Sequence, residues 1–570
     1  MKLNAKLFMA GLLIVAVPLI LGGCGDSSGT GATPTGVANM DVTDAPAMDY
    51  SHVYVTVTGI AFHTDTTASF SDYSSGRTSG WQVTRLTTPK TVDLAQLANG
   101  TMYAGTNGGT SLFSGMVLPV GTYRQIRIFL ASTEDGLTAS ANALGLTYNN
   151  EVQLNGDGSH YPLRIPTADE GIRLIPEAPV VVTSGGSANL ALDFNLNNDV
   201  VAVSPNGVKE FILKPQLGYF DLNSVGAVKG VVSFSNLSTS RFVIKAEQVK
   251  SGVNYRVVRR WTTVDRNSGA FTLYPLPIFN NATTATYDIL LRGRNAETAI
   301  VKGVRIHKGS TPTGGAVDLG TIPIQPGSEF TAQLASAMHP TGAWLNFYQK
   351  LTGDPIPYEV RYRHLDPYTG TFHNAIELST GPIHVATYTP GQALSFAPDA
   401  TSQGIFSVVS NAGGYFGPGA ELSGLTGAAG QIGVPITMAA ANYPQVSSPA
   451  TPAQITAIFD MSFFGRGLGH GMGMGTHITN YPNKGQIFVT HGGLIIDSVG
   501  TLSGDTMVGD AMYAGGGAGN PVVIANLPGG VSGTVYGLYA LGWGNGVLAA
   551  GRDPGVNLKN GNTTSTIRMW

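Results

Sequence analysis

The chain is almost without thiols and poor in charge. Its 570 residues include a single cysteine, Cys24, so it cannot close an internal disulfide or build a Cys-based zinc site. Only 12% of the residues are charged, against ~25% in typical soluble proteins. The net charge of −3 supplies no global field that would steer nucleic acid, so no nucleic-acid partner is predicted.

Sequence motifs of common hydrolases are also absent. The chain has no Gly-x-Ser-x-Gly elbow, no His-Glu-x-x-His zinc motif and no Gly-x-x-x-x-Gly-Lys phosphate loop. Carboxylates that meet only in the folded chain could still form a hydrolase site, and that alternative stays open. The prediction is a protein that is not an enzyme and needs no cofactor.

The one long apolar run lies at the amino terminus. It follows Lys2 and Lys6, extends from Leu7 to Leu21 and is too short to span a bilayer, as in a signal peptide. It ends in Leu21-Gly22-Gly23-Cys24, which resembles the lipobox of bacterial lipoproteins. The resemblance implies cleavage before Cys24, a diacylglyceryl group on its thiol and a fatty acid such as palmitate on the new amino terminus. An ordinary secretory signal with an incidental cysteine is the alternative.

The lipobox resemblance also predicts a location. Residues 1–23 would be the signal peptide, and residues 24–38 a flexible tether of Gly, Ser, Thr, Ala and Pro. Gly25 stands where inner-membrane lipoproteins often carry aspartate, which favours the outer membrane. We expect Cys24 to be held in the lipid bilayer by several acyl chains, on the periplasmic face or the cell surface.

Most of the remaining chain shows the pattern of short strands. Glycine is abundant, at 76 residues, and alternating apolar runs are bounded by Gly, Pro, Asn and Ser. The clearest predicted strands are Val53–Val57, Tyr123–Leu130, Leu190–Phe194 and Tyr287–Leu291. One short helix is predicted from Asp93 to Asn99, with Asp93 as its N-cap. The predicted fold class is all-β, a multidomain string of β-sandwiches behind an N-terminal lipoprotein signal peptide.

Charge divides the chain into blocks. Residues 25–208 contain 7 basic and 16 acidic residues, residues 209–308 contain 15 and 6, and residues 340–570 contain 8 and 11. Such asymmetry indicates separate units. We predict a first unit at 39–222, a second unit at 225–327 and a third, Gly-rich unit at 340–570 that is long enough for two sandwiches.

A set of short motifs characterises the first unit. They are Val42-Thr43-Asp44-Ala45-Pro46-Ala47, Leu118-Pro119-Val120-Gly121-Thr122-Tyr123, Ile126-Arg127-Ile128, Leu192-Asp193-Phe194 and Leu213-Lys214-Pro215. In this order they resemble the bacterial lipoprotein family catalogued as domain of unknown function 4382, over about residues 38–222. The resemblance implies a fold and an envelope location but no activity.

The second unit has motifs of a different kind. They are Val228-Lys229-Gly230-Val231-Val232, Ser268-Gly269-Ala270-Phe271, Tyr287–Leu291 and Val301–Ile306. Together they resemble the carboxypeptidase-regulatory or prealbumin-like sandwich, also called a carbohydrate-binding-like fold. Such modules often act as spacers in surface proteins, and a fold does not determine a function.

A His/Met cluster in the third unit suggests a metal site. His470, Met472 and Met474 would share one face of an extended strand, and His477 could close the site after a turn at Gly475. Imidazole and thioether ligands suit copper. The alternative is a glycine-rich strand whose methionines pack in a core, which is favoured because no second His/Met cluster accompanies the first. His491 could join from the next strand.

Aromatic residues crowd the start of the third unit. They are Trp344, Phe347, Tyr348, Tyr358, Tyr362, Tyr368 and Phe372. If Trp344, Tyr348 and Tyr362 were exposed, they would offer a flat platform for the sugar rings of a polysaccharide. If these rings were buried they would simply be core, which is favoured because aromatic side chains carry large apolar area.

A basic stretch lies in the second unit. It comprises Lys245, Lys250, Arg256, Arg259, Arg260 and Arg266. We expect it to dock onto the acidic neighbouring unit, and binding of an anionic polysaccharide is the alternative.

Acidic residues lie near the start of the first unit. Asp41, Asp44 and Asp49 could provide oxygen ligands for calcium. Their spacing is not that of an EF-hand loop, which favours a turn at Asp44-Ala45-Pro46 over a calcium site.

These patterns lead to one functional prediction and one alternative. The prediction is a non-catalytic outer-membrane lipoprotein that acts as a binding or scaffold protein, with polysaccharide or other envelope proteins as partners. The alternative is a copper-binding envelope protein that uses residues 470–477.

Overall fold

The computed structural model describes residues 33–569 except for 47–48, 69, 71–79, 99, 104–110, 204–209, 216, 335–343, 365–375, 413–414, 417–419, 423–429, 433–438, 441–450, 461–483, 500–520 and 545–546. The described part is all-β, as predicted, and its helices are single turns at Ala139–Ala143, Leu196–Asp199 and Leu237–Ser240. Among these residues, none of the helices has the length and apolar character that crossing a bilayer requires.

The first unit supplies strands β1 to β14. They are β1 (Thr35–Asp44), β2 (Tyr50–His63), β3 (Gln82–Asp93), β4 (Phe113–Pro119), β5 (Gly121–Tyr123), β6 (Gln125–Leu130), β7 (Glu151–Leu154), β8 (Tyr161–Arg164), β9 (Ile172–Leu174), β10 (Val180–Val182), β11 (Ser187–Phe194), β12 (Val200–Val203), β13 (Glu210–Leu213) and β14 (Gly218–Asp221). One sheet has the order β14-β11-β1-β4, and the other has the order β12-β13-β8-β7-β2-β6-β9 with β3 beside β2. A small ladder joins β10 to β5.

Alternating burial explains how these sheets pack. Successive side chains of a strand point to opposite faces, and in β1 the residues Ala38, Met40 and Val42 are buried. They share one apolar core with residues of the facing sheet, such as Val55 and Ile128. The first unit is therefore a sandwich of two sheets around a single core.

The second unit supplies β15 to β21. They are β15 (Val225–Ser233), β16 (Val243–Val249), β17 (Arg256–Thr263), β18 (Ala270–Pro277), β19 (Thr284–Arg292), β20 (Ala299–His307) and β21 (Val317–Pro323). The sheet β18-β15-β21 faces a sheet that begins β17-β16-β19-β20. Their common core includes Val228, Leu273, Ile244 and Ile289.

The rest of the chain supplies β22 to β39. They are β22 (Glu329–Leu334), β23 (Trp344–Leu351), β24 (Asp354–His364), β25 (Ile376–Ser379), β26 (Ile383–Thr387), β27 (Ala397–Asp399), β28 (Phe406–Ala412), β29 (Tyr415–Phe416), β30 (Ala420–Leu422), β31 (Gly430–Ile432), β32 (Ala439–Ala440), β33 (Thr451–Asp460), β34 (Lys484–His491), β35 (Leu494–Val499), β36 (Val522–Gly529), β37 (Val535–Gly544), β38 (Val547–Asn557) and β39 (Thr563–Met569).

These later strands form further sheets and extend an earlier one. One sheet is ordered β24-β23-β28-β29-β32 with β30 beside β28, another β25-β22-β31, and the last β35-β34-β37-β38-β39-β33-β36. Strand β26 pairs in parallel with β20, and β27 follows it, so residues 383–399 complete a sheet of the second unit. That sheet thus combines strands that lie far apart in the sequence.

The local predictions agree with the structure for strands and disagree for the helix. All four predicted strands lie within β2, β5 with β6, β11 and β19. The predicted helix at Asp93–Asn99 is wrong, because only a 3-10 turn forms at Leu94–Gln96 and Asp93 makes no side-chain cap. The Asp93 carboxylate instead accepts hydrogen bonds from His52 Nδ1 at 2.6 Å and from the Val53 amide at 3.1 Å.

Candidate binding site

A polar cleft lies between the first unit and the last sheet. Its volume is about 360 Å³, and its lining combines hydroxyl, amide, carboxylate and guanidinium groups with a few apolar side chains. The lining residues are Thr58, Leu130, Ala131, Ser132, Asp135, Gly136, Thr138, Asn149, Ala168, Asp169 and Arg552. All of them belong to the first unit except Arg552, which comes from β38.

The charged groups of the cleft form one cluster. Arg552 Nε lies 3.2 Å from Asp169 Oδ2, and Arg552 Nη2 lies 3.7 Å from Asp135 Oδ1. Burial raises the pKa of the Asp169 carboxyl, and the nearby carboxylates of Asp135 and Glu170 add to this effect, whereas Arg552 opposes it. The Arg552 guanidinium therefore pairs with both carboxylates that line the cleft, Asp135 and Asp169.

One asparagine holds the floor of the cleft in place. Asn149 Nδ2 donates to the carbonyl oxygens of Ser132 and Gly136, both at 3.1 Å, and Asn149 Oδ1 accepts from the Thr138 amide at 2.8 Å. Asn149 is fully buried. Because this side chain satisfies backbone groups of the 132–138 loop, the loop keeps its conformation without regular secondary structure of its own.

Beneath the cleft, a buried charge network joins the last sheet to the first unit. Arg164 Nη1 donates to Glu134 Oε1 at 3.0 Å and Arg164 Nε donates to Glu210 Oε2 at 2.9 Å. Tyr539 Oη, from β37, donates to the same Glu134 oxygen at 2.6 Å. Burial alone would raise the pKa of Glu134, but Arg164, Ser132 and Tyr539 together lower it.

A second contact along this seam uses Glu170. Its Oε1 accepts from Thr490 Oγ1 at 2.5 Å and its Oε2 accepts from the Gly493 amide at 2.8 Å. Apolar side chains of β12 and β13 also pack with the last sheet, where Val201 and Ile212 share a core cluster with Trp543. Both polar and apolar contacts thus join the last sheet to the first unit.

The basic stretch of the second unit docks onto its neighbours. Arg260 Nη1 donates to Asp193 Oδ1, and Arg260 Nη2 donates to Thr43 Oγ1 at 3.0 Å and to the Asp44 carbonyl at 2.7 Å. Glu177 of the first unit pairs with Arg259 at 2.5 Å and with Lys250 at 3.2 Å. The predicted docking onto the acidic first unit is confirmed for these three cations.

Two other cations of this stretch point the opposite way, which the sequence did not indicate. Lys245 Nζ lies 2.7 Å from Glu359 Oε1. Arg256 bridges Asp288 at 3.1 Å and Asp354 at 2.8 Å. Since Glu359 and Asp354 lie on β24, the second unit is joined by charge to both of its neighbours.

The predicted aromatic platform is largely core where the structure describes it. Tyr348 is 4% exposed, and its ring centroid lies 5.1 Å from that of Tyr255. Phe347 and Tyr358 are also buried, and Tyr362 is half-buried. Trp344 begins β23. The favoured core interpretation therefore holds for Phe347, Tyr348 and Tyr358.

Other predicted site residues lie outside the described part of the chain. Cys24 precedes residue 33, and His470, Met472, Met474 and His477 fall in the gap at 461–483. Lipidation and copper binding at these positions stay predictions. His491 is described and buried, with Nδ1 2.7 Å from the Val535 carbonyl oxygen and its ring against Tyr536.

The three aspartates considered for calcium do not converge. Asp41 and Asp44 are three residues apart on β1 and therefore point to opposite faces. Asp41 accepts from Ser111 Oγ and the Leu112 amide, both at 3.3 Å, and Asp44 accepts from the Leu196 amide at 3.2 Å. Within the described ranges, no three His, Cys, Asp or Glu side chains are grouped as a metal would require.

The cleft is not among the sites predicted from the sequence. Asp135 and Asp169 are 34 residues apart and Arg552 lies 383 residues beyond Asp169, so no local spacing relates them. A weak signal was present in the polar stretch 131–150, which lacks the alternation of the neighbouring strands.

The fold and the cleft define an all-β protein of several packed sheets with a polar cleft at a seam. Residues 35–215 match the family described as Domain of unknown function (DUF4382), which confirms the resemblance predicted for the first unit. The match covers every lining residue of the cleft except Arg552.

Comparisons with curated proteins and with solved structures identify no function for the chain. No curated protein matches the chain significantly. The crystal structure of a mutant of the shaft pilin spaA from Lactobacillus rhamnosus GG is similar at 8% identity, with 37% of this chain and 98% of the pilin chain covered and a TM-score of 0.12. A likeness at that TM-score carries no argument about this protein.

Proposed function

We propose that the protein is a non-catalytic, lipid-anchored scaffold of the bacterial outer membrane that holds a polysaccharide in the cleft between its first unit and its last sheet. The observation that carries this proposal is the composition of the cleft. Hydroxyl groups of Thr58, Ser132 and Thr138 stand beside the Asp169–Arg552 pair in about 360 Å³.

This lining suits a neutral, hydroxyl-rich ligand. Sugar hydroxyls both donate and accept hydrogen bonds, and the cleft offers carboxylate acceptors, a guanidinium donor and hydroxyl oxygens. The Thr58 and Ser132 hydroxyls already donate to the Phe129 carbonyl and to Glu134, so they are acceptors for a ligand. The neighbouring charges of Asp135, Asp169 and Arg552 pair with one another, so a ligand need not bring a charge of its own. The volume lies in the range of ordinary small-ligand pockets, which fits one or two sugar rings.

Hydrogen bonds and an ion pair between units support the scaffold part of the proposal. Glu134, Glu170 and Asp193 of the first unit each bond a residue from another part of the chain. A chain joined in this way would hold its sheets in fixed positions at the envelope. The lipid anchor on Cys24 is the remaining element, and it rests on the lipobox resemblance.

Affinity electrophoresis tests the polysaccharide site. The native protein should be retarded in gels that contain a matching polysaccharide, and Arg552→Gln should lose most of that retardation because the Asp169 carboxylate loses its partner. Arg305→Gln is the matched control, since Arg305 is exposed on β20 away from the cleft. Equal retardation of both variants would place binding elsewhere, and no retardation across a broad glycan panel would reject the polysaccharide.

Mass spectrometry and cell fractionation test the anchor. The mature protein should begin at Cys24, carry acyl chains and sediment with outer membranes. Cys24→Ala should leave either the uncleaved precursor or a soluble chain. A mature protein with a bare Cys24 thiol in the membrane fraction would contradict the anchor.

A further inference from the structure

Three segments of the first unit meet where the described chain begins. Strand β1 pairs with β4, which places Thr35 opposite Pro119 and Val37 opposite Val117. The Val120 amide donates to the Pro34 carbonyl at 2.8 Å, and the Gly185 amide donates to the Thr35 carbonyl at 2.9 Å. We call the residues 33–40, 111–123 and 178–192 the neutral rim.

The neutral rim has no formal charge. None of its three segments contains an Asp, Glu, Lys or Arg, although residues 25–208 contain 7 basic and 16 acidic residues. Most of its polar side chains are amides and hydroxyls that bond to one another or to the backbone. Charged groups reach it at one end, where Ser111 Oγ donates to Asp41 and the Leu112 carbonyl accepts from Lys90 Nζ at 2.7 Å. Asn39 Nδ2, for example, donates to Asn189 Oδ1 at 2.9 Å, and Asn39 Oδ1 accepts from the Gly115 amide at 2.9 Å.

Large apolar side chains are exposed on the same rim. Val117 is 66% exposed, Val181 57% and Val120 44%. Single exposed valines are ordinary, but these three lie on strands β4 and β10 and on the residue between β4 and β5, and β5 pairs with β10. Nearby valines that face the core, Val180 and Val182, are buried, so the strands have a core face and a second apolar face.

The rim lies where a lipid anchor would bring the chain to the membrane. The tether is shorter than the predicted 24–38 because β1 begins at Thr35, and nine residues separate Cys24 from Pro34. At ~3.5 Å per residue, the sulfur of Cys24 can be no farther than about 35 Å from Pro34. Thr35 and Val120 of the rim adjoin Pro34, so the rim is a surface of the first unit that the tether allows to reach the bilayer.

We propose that the neutral rim rests on the lipid bilayer, with Val117, Val120 and Val181 in the interfacial region. This inference rests on the lipid anchor of the proposed function. An uncharged surface pays no penalty for dehydrating ions at the interface, and its lack of cations makes the contact independent of anionic lipid. The rim thus adds an apolar contact to the acyl chains and orients the first unit.

Site-specific labelling tests the contact. When Cys24 is acylated, a cysteine introduced at Val117 is the only free thiol, and it can carry a fluorophore without background. The acylated full chain, with Val117→Cys or Val181→Cys, is placed in vesicles of zwitterionic phosphatidylcholine with brominated acyl chains. Leu144→Cys is the control, since Leu144 is 48% exposed and outside the rim. Bromine should quench the labels at 117 and 181 several-fold more than the label at 144.

The outcomes distinguish the rim contact from the lipid anchor on which it rests. Intact mass and vesicle flotation first report whether Cys24 is acylated and the chain anchored. An unacylated chain that does not float rejects the anchor and the rim contact with it. An anchored chain whose labels at 117, 181 and 144 are quenched equally rejects the rim contact alone. Far-UV circular dichroism checks that the variants fold, which the exposure of these positions leads us to expect.

Discussion

At the scale of single residues, Asp44 shows how burial sets the properties of a carboxyl group. Its side chain is fully buried, and Oδ1 accepts from the Leu196 amide. Among the described residues Oδ2 has no hydrogen-bond partner. Burial raises the pKa of Asp44 well above its ordinary value, and the Asp193 carboxylate nearby adds to the effect. An ionised Asp44 is therefore unfavourable in the folded chain.

The first prediction concerns Asp44→Asn and pH. Because the folded pKa is raised, this carboxyl contributes stability that is complete below the unfolded pKa and is lost as the pH rises through the folded pKa. The asparagine side chain in the variant cannot ionise. The variant should therefore gain free energy of unfolding relative to the native protein at pH 8, and the gain should shrink toward pH 4.

Urea unfolding at a series of pH values measures this difference. Asp318→Asn, at an exposed position on β21, controls for the removal of one negative charge. A difference for Asp44→Asn that does not change with pH would show that Asp44 is not the titrating group.

The second prediction concerns Arg260→Lys. The guanidinium reaches Asp193, Thr43 and the Asp44 carbonyl at once, whereas an ammonium is a single point charge on a different stem. We expect the substitution to lower the free energy of unfolding by about 2–3 kcal/mol, because a buried carboxylate loses part of its pairing. Arg266→Lys, at an exposed position, should change stability little. Thermal unfolding of both variants decides, and equal melting temperatures would contradict the argument.

At the scale of elements, the turn that carries the chain from β17 to β18 in the facing sheet depends on Gly269. This residue has a φ of +75°, and a Cβ built there would lie 2.1 Å from the Val232 carbonyl oxygen. The Gly269 amide also donates to the Asp265 carbonyl at 2.8 Å, which closes the turn. The Ser268-Gly269-Ala270-Phe271 motif is thus a requirement of backbone geometry.

The third prediction compares Gly269→Ala with Gly309→Ala. Gly309 has a similar φ of +81°, but a Cβ there would meet nothing within 4 Å. Gly309→Ala should lower the free energy of unfolding by about 1–2 kcal/mol, because alanine is unfavourable in the left-handed conformation. Gly269→Ala should cost more, about 3 kcal/mol or above, because the β15 backbone must move. Denaturant midpoints measure both changes. Equal changes would show that β15 moves away from the new Cβ without lowering stability.

Strands could be predicted from the sequence, but their pairing could not. Val53–Val57 and Leu190–Phe194 alternate in polarity, and alternation depends only on nearest neighbours. The parallel pairs β1 with β11 and β20 with β26 join residues that lie about 80 to 150 positions apart. No local pattern encodes such a pairing. The helix predicted at Asp93 is wrong for a related reason, since the Asp93 carboxylate bonds to His52 on the neighbouring strand and does not cap a helix.

At the scale of the whole molecule, the candidate site is a product of assembly. Asp169 and Arg552 meet only because the last sheet closes on the first unit through Glu134, Glu170 and an apolar cluster. Block charge did predict that the second unit would dock on the first. Block charge did not indicate that the second unit also contacts β24, because residues 340–570 have a net charge of only −3.

The last prediction tests whether this assembly is one cooperative unit. Asp354 on β24 pairs with Arg256 on β17 at 2.8 Å and with Lys302 on β20 at 3.0 Å. These cations lower the pKa of Asp354 despite its partial burial. Asp354→Asn removes the charge at nearly constant shape and leaves Arg256 paired with Asp288 and bonded to the Ile356 carbonyl, so contact between β24 and the second unit should weaken.

Calorimetry should therefore show a single transition for the native protein and two separated transitions for Asp354→Asn, because the second unit then unfolds independently of the sheet that contains β24. Asp318→Asn removes an exposed partner of Lys229 within the second unit and should leave the single transition intact. Because the stability that Asp354 contributes is present above its unfolded pKa and lost as the pH falls through its lowered folded pKa, the native protein should itself approach the two-transition behaviour in strong acid. A single transition for Asp354→Asn would mean that apolar packing, and not this ion pair, couples the two units.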